Sequence, residues 1–333
     1  MRIQGRIERF SFESRCLASN PLGDPATREV IVYVPPGLRD GERLPTVTML
    51  PGYVGHPSGV VAYDPFKRNT VELLDAQIVA GECKPFLLVL PDCMTRWGGS
   101  QFLDSPAHGA YQTYLVDEVL PEVEARFPAI AAPEARAMVG RSSGGFGALR
   151  VALDRPGVIS VVASHAGDAL FEVTMRPMLT TAAAAIARAG GLAAFAEKLV
   201  TEGPKGPLDF DAAFVLAAAA AYSPGEDGPL SLELPVDLET GMVRADVWAR
   251  WLAHDPAELV LTRKEALAGL RLVFLDAGDG DEHGLHFAAR VLRDRLRGAG
   301  VNVVHEEFAG GHRGTSHRYT VSLPLVADAL ARG

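Results

Sequence analysis

The sequence predicts an α/β fold: a mostly parallel central sheet with helices on both faces and a helical insertion ahead of its last two strands. Three observations carry this. Short β-branched runs alternate with longer helical patterns along most of the 333 residues. Several of those runs are apolar on both alternating faces, as the strands of a buried parallel sheet are. One interval of about a hundred residues contains no strand pair, far more than a single crossover helix needs.

The elements follow in order. Residues 6–15 alternate Ile7, Arg9 and Ser11 with Glu8, Phe10 and Phe12, which suits an antiparallel edge strand. Further strands are expected at 29–34, 46–50, 86–90, 135–139, 158–164, 270–275 and 301–308. Helices are expected at about 111–126, 145–154, 283–297 and 316–331. Residues 1–167 and 269–333 would then form the core, and 168–268 a mostly helical cap over the sheet. Within that insertion an Ala-rich helical stretch, 180–200, is interrupted by Gly190 and Gly191. A loop at 201–207, a helix near 211–222, a Pro/Gly-rich connector at 223–229 and a helix around 244–253 follow. The plainer alternative is a second helical layer with no part in substrate choice.

Composition excludes several classes. With a net charge of −9 and no basic cluster, the chain lacks the electrostatic footprint of a nucleic-acid binder. No apolar run reaches the roughly 20 residues that a membrane span needs. Residues 1–6 contain no apolar signal core, and Cys16, Cys83 and Cys93 cannot close a fully paired disulfide framework. The expected location is therefore the cytoplasm. The oligomeric state is open, a homo-oligomer included.

Gly140-Arg141-Ser142-Ser143-Gly144, followed by Gly145 and Gly147, is a G-x-S-x-G sequence between an expected buried strand and a helix. A sharp strand-to-helix turn would expose the Ser142 hydroxyl at the sheet edge, beside a helix N-terminus that favours negative charge. Such an elbow belongs to the α/β-hydrolase fold. The alternative is a Gly-rich turn with a serine helix cap. Serine needs an imidazole to activate it, and His312 stands after Gly310 and Gly311, just past the last strand. His305 lies inside that strand and His317 at the start of the final helix. The orienting acid should follow the preceding strand, where Asp276, Asp279, Asp281 and Glu282 cluster; Asp281 is first choice, Asp279 second, and a helix N-cap the alternative role for Asp281. His283 and His286 lie nearby, but the carboxylates lack the spacing of a calcium loop, so neither metal nor cofactor is expected. For the oxyanion hole, the amide of Ser143 and that of Tyr53, in the loop Pro51-Gly52-Tyr53-Val54-Gly55, are the candidate donors.

The segments Arg28-Glu29-Val30-Ile31-Val32-Tyr33-Val34-Pro35-Pro36-Gly37, Leu50-Pro51-Gly52-Tyr53, Leu90-Pro91-Asp92, Gly98-Gly99-Ser100-Gln101-Phe102, Gly140 to Gly145, Gly278-x-x-Asp281 and Gly310-Gly311-His312 together resemble the putative-esterase family of α/β hydrolases. That family includes esterase D (S-formylglutathione hydrolase), enterochelin esterases, feruloyl esterases and the mycolyltransferases. The resemblance implies a serine esterase with a Ser142–Asp281–His312 triad, favours Asp281 over Asp279, and implies a small-molecule ester as partner. The insertion is longer than in compact feruloyl esterases, and no glutathione- or trehalose-recognition element is matched. An acyltransferase on the same triad, or a binding protein that has lost its chemistry, are the competing classes. Trp97, Phe102, Phe171, Trp248 and Trp251 are candidate pocket walls, with pinning of the cap as the other role for the last two. Asp168 is read as shaping the pocket or capping the next helix, and Cys93 as a buried structural thiol.

Overall fold

Eight strands build the central sheet: β1 (Arg6–Glu13), β2 (Thr27–Val34), β3 (Thr46–Leu50), β4 (Leu87–Pro91), β5 (Arg136–Arg141), β6 (Val161–His165), β7 (Leu272–Gly278) and β8 (Val303–Phe308). Their spatial order is β1-β2-β4-β3-β5-β6-β7-β8 in this computed structural model, which describes residues 3–331. Met1 and Arg2, where the reading of the N-terminus begins, lie outside the described residues. β1 is antiparallel to β2 and β2 to β4, while β4, β3 and β5 to β8 run parallel. Each expected strand is present, with ends moved by up to three residues. The reason is local: Val158 and Leu270, taken as strand starts, are used in turns, their N–H groups bonding Arg155 and Leu267 carbonyls.

Side-chain alternation divides the core. On β2, Val30, Val32 and Val34 join the apolar cluster under the helical run 111–126 and the helices Ser143–Asp154 and Leu285–Gly298. Ile31 and Tyr33 join the opposite cluster, against the helices Thr70–Val79 and Tyr319–Leu330. The Thr70–Val79 helix is one the periodicity does not predict. Its signal is Asn69 three residues before Glu72: the Asn69 side chain accepts from the Glu72 amide and the Glu72 carboxylate from the Asn69 amide, a capping box.

The insertion is helical. Gly190 and Gly191, at φ 97° and 105°, break the stretch into helices Leu179–Arg188 and Leu192–Glu202. Helices Pro207–Tyr222 and Ala245–Leu252 follow, and a third apolar cluster, running from Phe171 to Trp251, holds them to Trp97, Leu103 and Phe146 of the body. The helix Pro256–Thr262, although within 168–268, packs into the main core through Ala257, Leu259 and Val260. No single helix among the described residues is long and apolar enough to cross a membrane.

Burial holds two histidines neutral and makes the fold acid-sensitive. Desolvation pushes His108 and His254 down to about 4, from an ordinary 6.5. The unfolded chain takes up these protons as pH falls below 6.5, whereas the folded chain does not until about 4. Their stabilising contribution is thus complete above pH 6.5 and lost on the way down to 4, at about 3 kcal/mol per group. The urea midpoint is expected to drop steeply between pH 7 and pH 4.5, and His254→Gln to flatten that slope. Equal midpoints at the two pH values would contradict this reading.

Candidate active site

The elbow after β5 is built by what its glycines lack. Ser142 has φ 55° and ψ −125°, a strained conformation for a residue with a side chain. A Cβ on Gly140 would run into the Gly144 backbone, and one on Gly144 into the Leu50 carbonyl. The turn closes with the Ser142 N–H donating to the His165 carbonyl at 2.9 Å, and the helix begins at Ser143. At Gly52 the β3 loop comes near the elbow less tightly: a Cβ there would sit 3.2 Å from the Arg141 carbonyl oxygen and 3.4 Å from Cβ of Ser142. The turn's hydrogen bonds use the amides of Val54 and Gly55, bonded to the carbonyls of Gly98 and Gly52, and not that of Tyr53.

His312 comes to the elbow from the loop after β8. Its amide donates to Glu282 Oε2 at 2.8 Å, and the Gly310 amide donates to Asp279 Oδ1 at 3.1 Å. The imidazole Nε2 lies 3.1 Å from Ser142 Oγ, and Nδ1 lies 2.9 Å from Asp281 Oδ2. Asp281 itself accepts from the amides of His283 at 2.9 Å and Leu285 at 3.4 Å. Burial would raise its carboxyl, but the His312 hydrogen bond and charge, with those two amides, hold it below its ordinary value. Of the two candidate acids, Asp281 touches the imidazole and Asp279 ties down the loop that carries it.

A cavity of about 530 Å³ opens over Ser142 and His312. Its lining includes apolar side chains of the insertion, Phe210, Phe214, Met175 and Met178, and the polar Arg141, Asp168, Asp211, His283 and Arg313. Tyr53 also lines it, its ring edge-on to Phe210 and Phe214 and its hydroxyl donating to the Trp97 carbonyl at 2.7 Å. Asp168 spans the elbow. Its amide reaches the Ser142 carbonyl at 3.4 Å, and its Oδ2 accepts from the Ser143 hydroxyl at 3.0 Å and Gln101 Nε2 at 3.4 Å. Burial pushes the Asp168 carboxyl up, against the charge of His312 and those two hydrogen bonds.

The five aromatic side chains expected on the pocket walls do not line this cavity. Phe171 is packed between Phe146 and Tyr222. Trp248 and Trp251 are pins: their indole N–H groups donate to Glu172 Oε1 at 2.7 Å and Ser223 Oγ at 2.9 Å, and both rings are buried. Trp97 is buried under the Gly-rich loop, and Phe102 packs over Gly147 beside a void of only about 10 Å³ behind Tyr53. A large apolar ring gains most by leaving water completely, and here the inter-helix seams offer that. Sequence reading missed Phe210 and Phe214, although their i, i+4 spacing puts them on one helix face. Asp168 lines the cavity, the first of its two expected roles, and Cys93 is buried.

A second Ser–His–Asp arrangement lies behind the sheet edge. His165 Nδ1 is 2.7 Å from Asp276 Oδ1 and its Nε2 is 2.9 Å from Ser322 Oγ. Here Ser322 is 0 % exposed, His165 3 % and Asp276 1 %, and Arg318 Nε donates to the remaining Asp276 oxygen at 2.7 Å. Enclosed in this way, the trio clamps the last helix onto β6 and β7 and leaves the Ser322 hydroxyl out of reach of a substrate.

Comparison with known proteins adds a family. The family described as "Putative esterase" matches residues 23–323. Two Mycobacterium tuberculosis proteins, Esterase Rv1288 (strain H37Rv) and Esterase MT1326 (strain CDC 1551), are each 33 % identical over 87 residues, 26 % of this chain and 19 % of theirs. The chain thus aligns with about a fifth of the length of these relatives. Among solved structures, a ferulic acid esterase is similar at a TM-score of 0.62 and 18 % identity, covering 98 % of this chain and all of the other. An S-formylglutathione hydrolase from Agrobacterium tumefaciens is similar at 0.58 and 17 %, with 99 % and 97 % covered. A fluorophosphonate-binding serine hydrolase from Staphylococcus aureus, FphF, follows at 0.57 and 12 %, with 98 % of each chain covered. At these identities the likeness is one of fold.

Proposed function

The chain belongs to the putative-esterase family, and on that premise we propose that it is a serine carboxylic-ester hydrolase working through an acyl-enzyme at Ser142. The observation that carries this reading is the relay of Asp281, His312 and Ser142, at 2.9 Å and 3.1 Å, with Ser142 and His312 lining a cavity of about 530 Å³. Asp281 keeps the imidazole proton on Nδ1, so Nε2 is free to take the proton of the Ser142 hydroxyl as Oγ attacks the ester carbonyl. The carbonyl oxygen becomes an oxyanion held by the amides of Ser143, at the helix N-terminus, and Tyr53. His312 then protonates the departing alcohol. Water then attacks the acyl carbonyl while His312 takes its proton, and His312 passes that proton to Ser142 Oγ as the Oγ–acyl bond breaks and the carboxylic acid leaves. Asp168 fixes Ser143 through its hydroxyl and so steadies one of the two donors. The three thiols, all free, support a reducing, cytoplasmic location.

The test is a fluorophosphonate followed by peptide mass mapping. A single adduct on the peptide that contains Ser142, with hydrolysis of 4-nitrophenyl esters abolished in step, is the expected result. An adduct at Ser143 or Ser322, or labelling without loss of turnover, would overturn the assignment.

The insertion acts as the cap that sets acyl preference, through Phe210 and Phe214 and not through its tryptophans. Each methylene of fit in an apolar pocket is worth only ~1–3 kcal/mol. Phe214→Ala is therefore expected to change the ratio of activities on butanoate and octanoate esters by roughly tenfold. If the variant scales both esters equally, the acyl chain binds elsewhere.

A further inference from the structure

Arg141 immediately precedes the nucleophile and lines the cavity, half withdrawn from solvent. Taking a guanidinium out of water without an anion is unfavourable, and most buried or half-buried arginines of the chain have one, although Arg271, away from the cavity, bonds only the Glu134 carbonyl, at 3.5 Å. Arg28 reaches Asp92, Arg136 reaches Glu124, Arg150 reaches Asp154 and Arg318 reaches Asp276. Arg141 has no carboxylate within ion-pair distance among the described residues. Among the described residues, the one hydrogen bond of its side chain goes from an Nη to Thr315 Oγ1, at a long 3.4 Å.

The cavity's own carboxylates do not supply the missing partner. Asp168 is committed to Ser143 and Gln101. Asp211 is desolvated, and the positive charges that act on it are His283 and Arg313, across the mouth. What remains is a rigid fork of N–H donors with almost all of its capacity unspent, on a residue that lines the same cavity as Ser142, Phe210, Phe214 and two methionines. A guanidinium of this kind matches a carboxylate with two parallel hydrogen bonds.

We propose that Arg141 binds an anionic group of the substrate, so that the site takes esters carrying a carboxylate in addition to the ester that Ser142 attacks. This rests on Ser142 being the nucleophile. The net charge of −9 opposes the approach of any anion, so the selectivity must be local to Arg141 and must weaken as salt screens it.

Two matched pairs of esters test it, one for each half of the substrate: 4-nitrophenyl hydrogen adipate against 4-nitrophenyl hexanoate, and 4-acetoxybenzoate against 4-acetoxybenzamide. In at least one pair the anion is expected to be favoured in kcat/KM by roughly tenfold, the size of a charge-assisted hydrogen bond. Arg141→Gln is expected to remove that preference, Arg141→Lys to retain part of it, and 0.5 M sodium chloride to reduce it in the unaltered protein. Fluorophosphonate labelling of Ser142 in each variant reports that the elbow is still folded. No preference for the anion in either pair, or a preference that survives both Arg141→Gln and salt, would overturn the proposal. Failure of the unaltered protein to be labelled at Ser142 is a different result, and it would overturn the esterase mechanism instead.

Discussion

Ser142→Ala is expected to lower kcat on a nitrophenyl ester by roughly 10⁶-fold, with far-ultraviolet circular dichroism unchanged. The size follows from the role. In the proposed mechanism no acyl-enzyme forms without Oγ, and what would remain is water attacking a carbonyl polarised by the two proposed amide donors, a residual effect of about 10³-fold over solution. Folding should survive because the elbow is set by Gly140 and Gly144, whose missing side chains make room for the Leu50 carbonyl and for each other. Alanine at φ 55° is strained much as serine is, so little changes there. Ser322 cannot take over, since it is enclosed in the last helix. A variant that kept even a hundredth of the activity would place the nucleophile elsewhere.

His312→Ala is expected to come next, at roughly 10⁵- to 10⁶-fold, and Asp281→Asn at about 10⁴-fold. Both leave the oxyanion donors intact but remove the proton acceptor or its correct tautomer. Asp279→Asn should cost no more than a few-fold, because Asp279 holds the Gly310 amide and does not touch the ring. In the unaltered enzyme kcat/KM should fall tenfold per pH unit on the acid side, as one group titrates. The sign is set by His312, whose protonated ring cannot accept from serine. The Asp281 carboxyl is held below its ordinary value by the His312 hydrogen bond, which favours its ionised form. Stopped-flow pH jumps keep this apart from the acid unfolding expected of His108 and His254. Equal losses in the Asp279 and Asp281 variants would mean that both carboxylates only shape the loop.

Why these residues could be read in the sequence, and others not, has a physical basis. Ser142, Asp281 and His312 sit in loops just beyond strand C-termini, where close backbone approach demands glycine: Gly140 and Gly144 at the elbow, Gly278 and Gly310 where the β7 and β8 loops touch. Steric demands of that kind leave local marks. The strand runs were legible for a similar reason, since burial on both faces forbids polar residues over several positions. The cavity walls were not. The helix Pro207–Tyr222 is buried at Ala212 and Ala213 and then at every position from Val215 to Tyr222, so no polar stripe tells which face meets substrate and which meets the body. Trp248 and Trp251, three residues apart, read the same whether a helix turns them to a ligand or to a seam. The clamp of His165, Asp276 and Ser322 joins His165 to partners more than a hundred residues away, and nothing in any one segment announces it.

That clamp bears on how hydrolases are recognised from coordinates. A search template that scores only interatomic spacing returns two hits here, and by distance the enclosed one is the tighter, with both of its contacts shorter than those of Ser142 and His312. What separates them is an entry route for a reagent, the cavity that Ser142 and His312 line. An automated census of nucleophiles therefore needs an accessibility gate before a distance score, or it will count fasteners as catalysts.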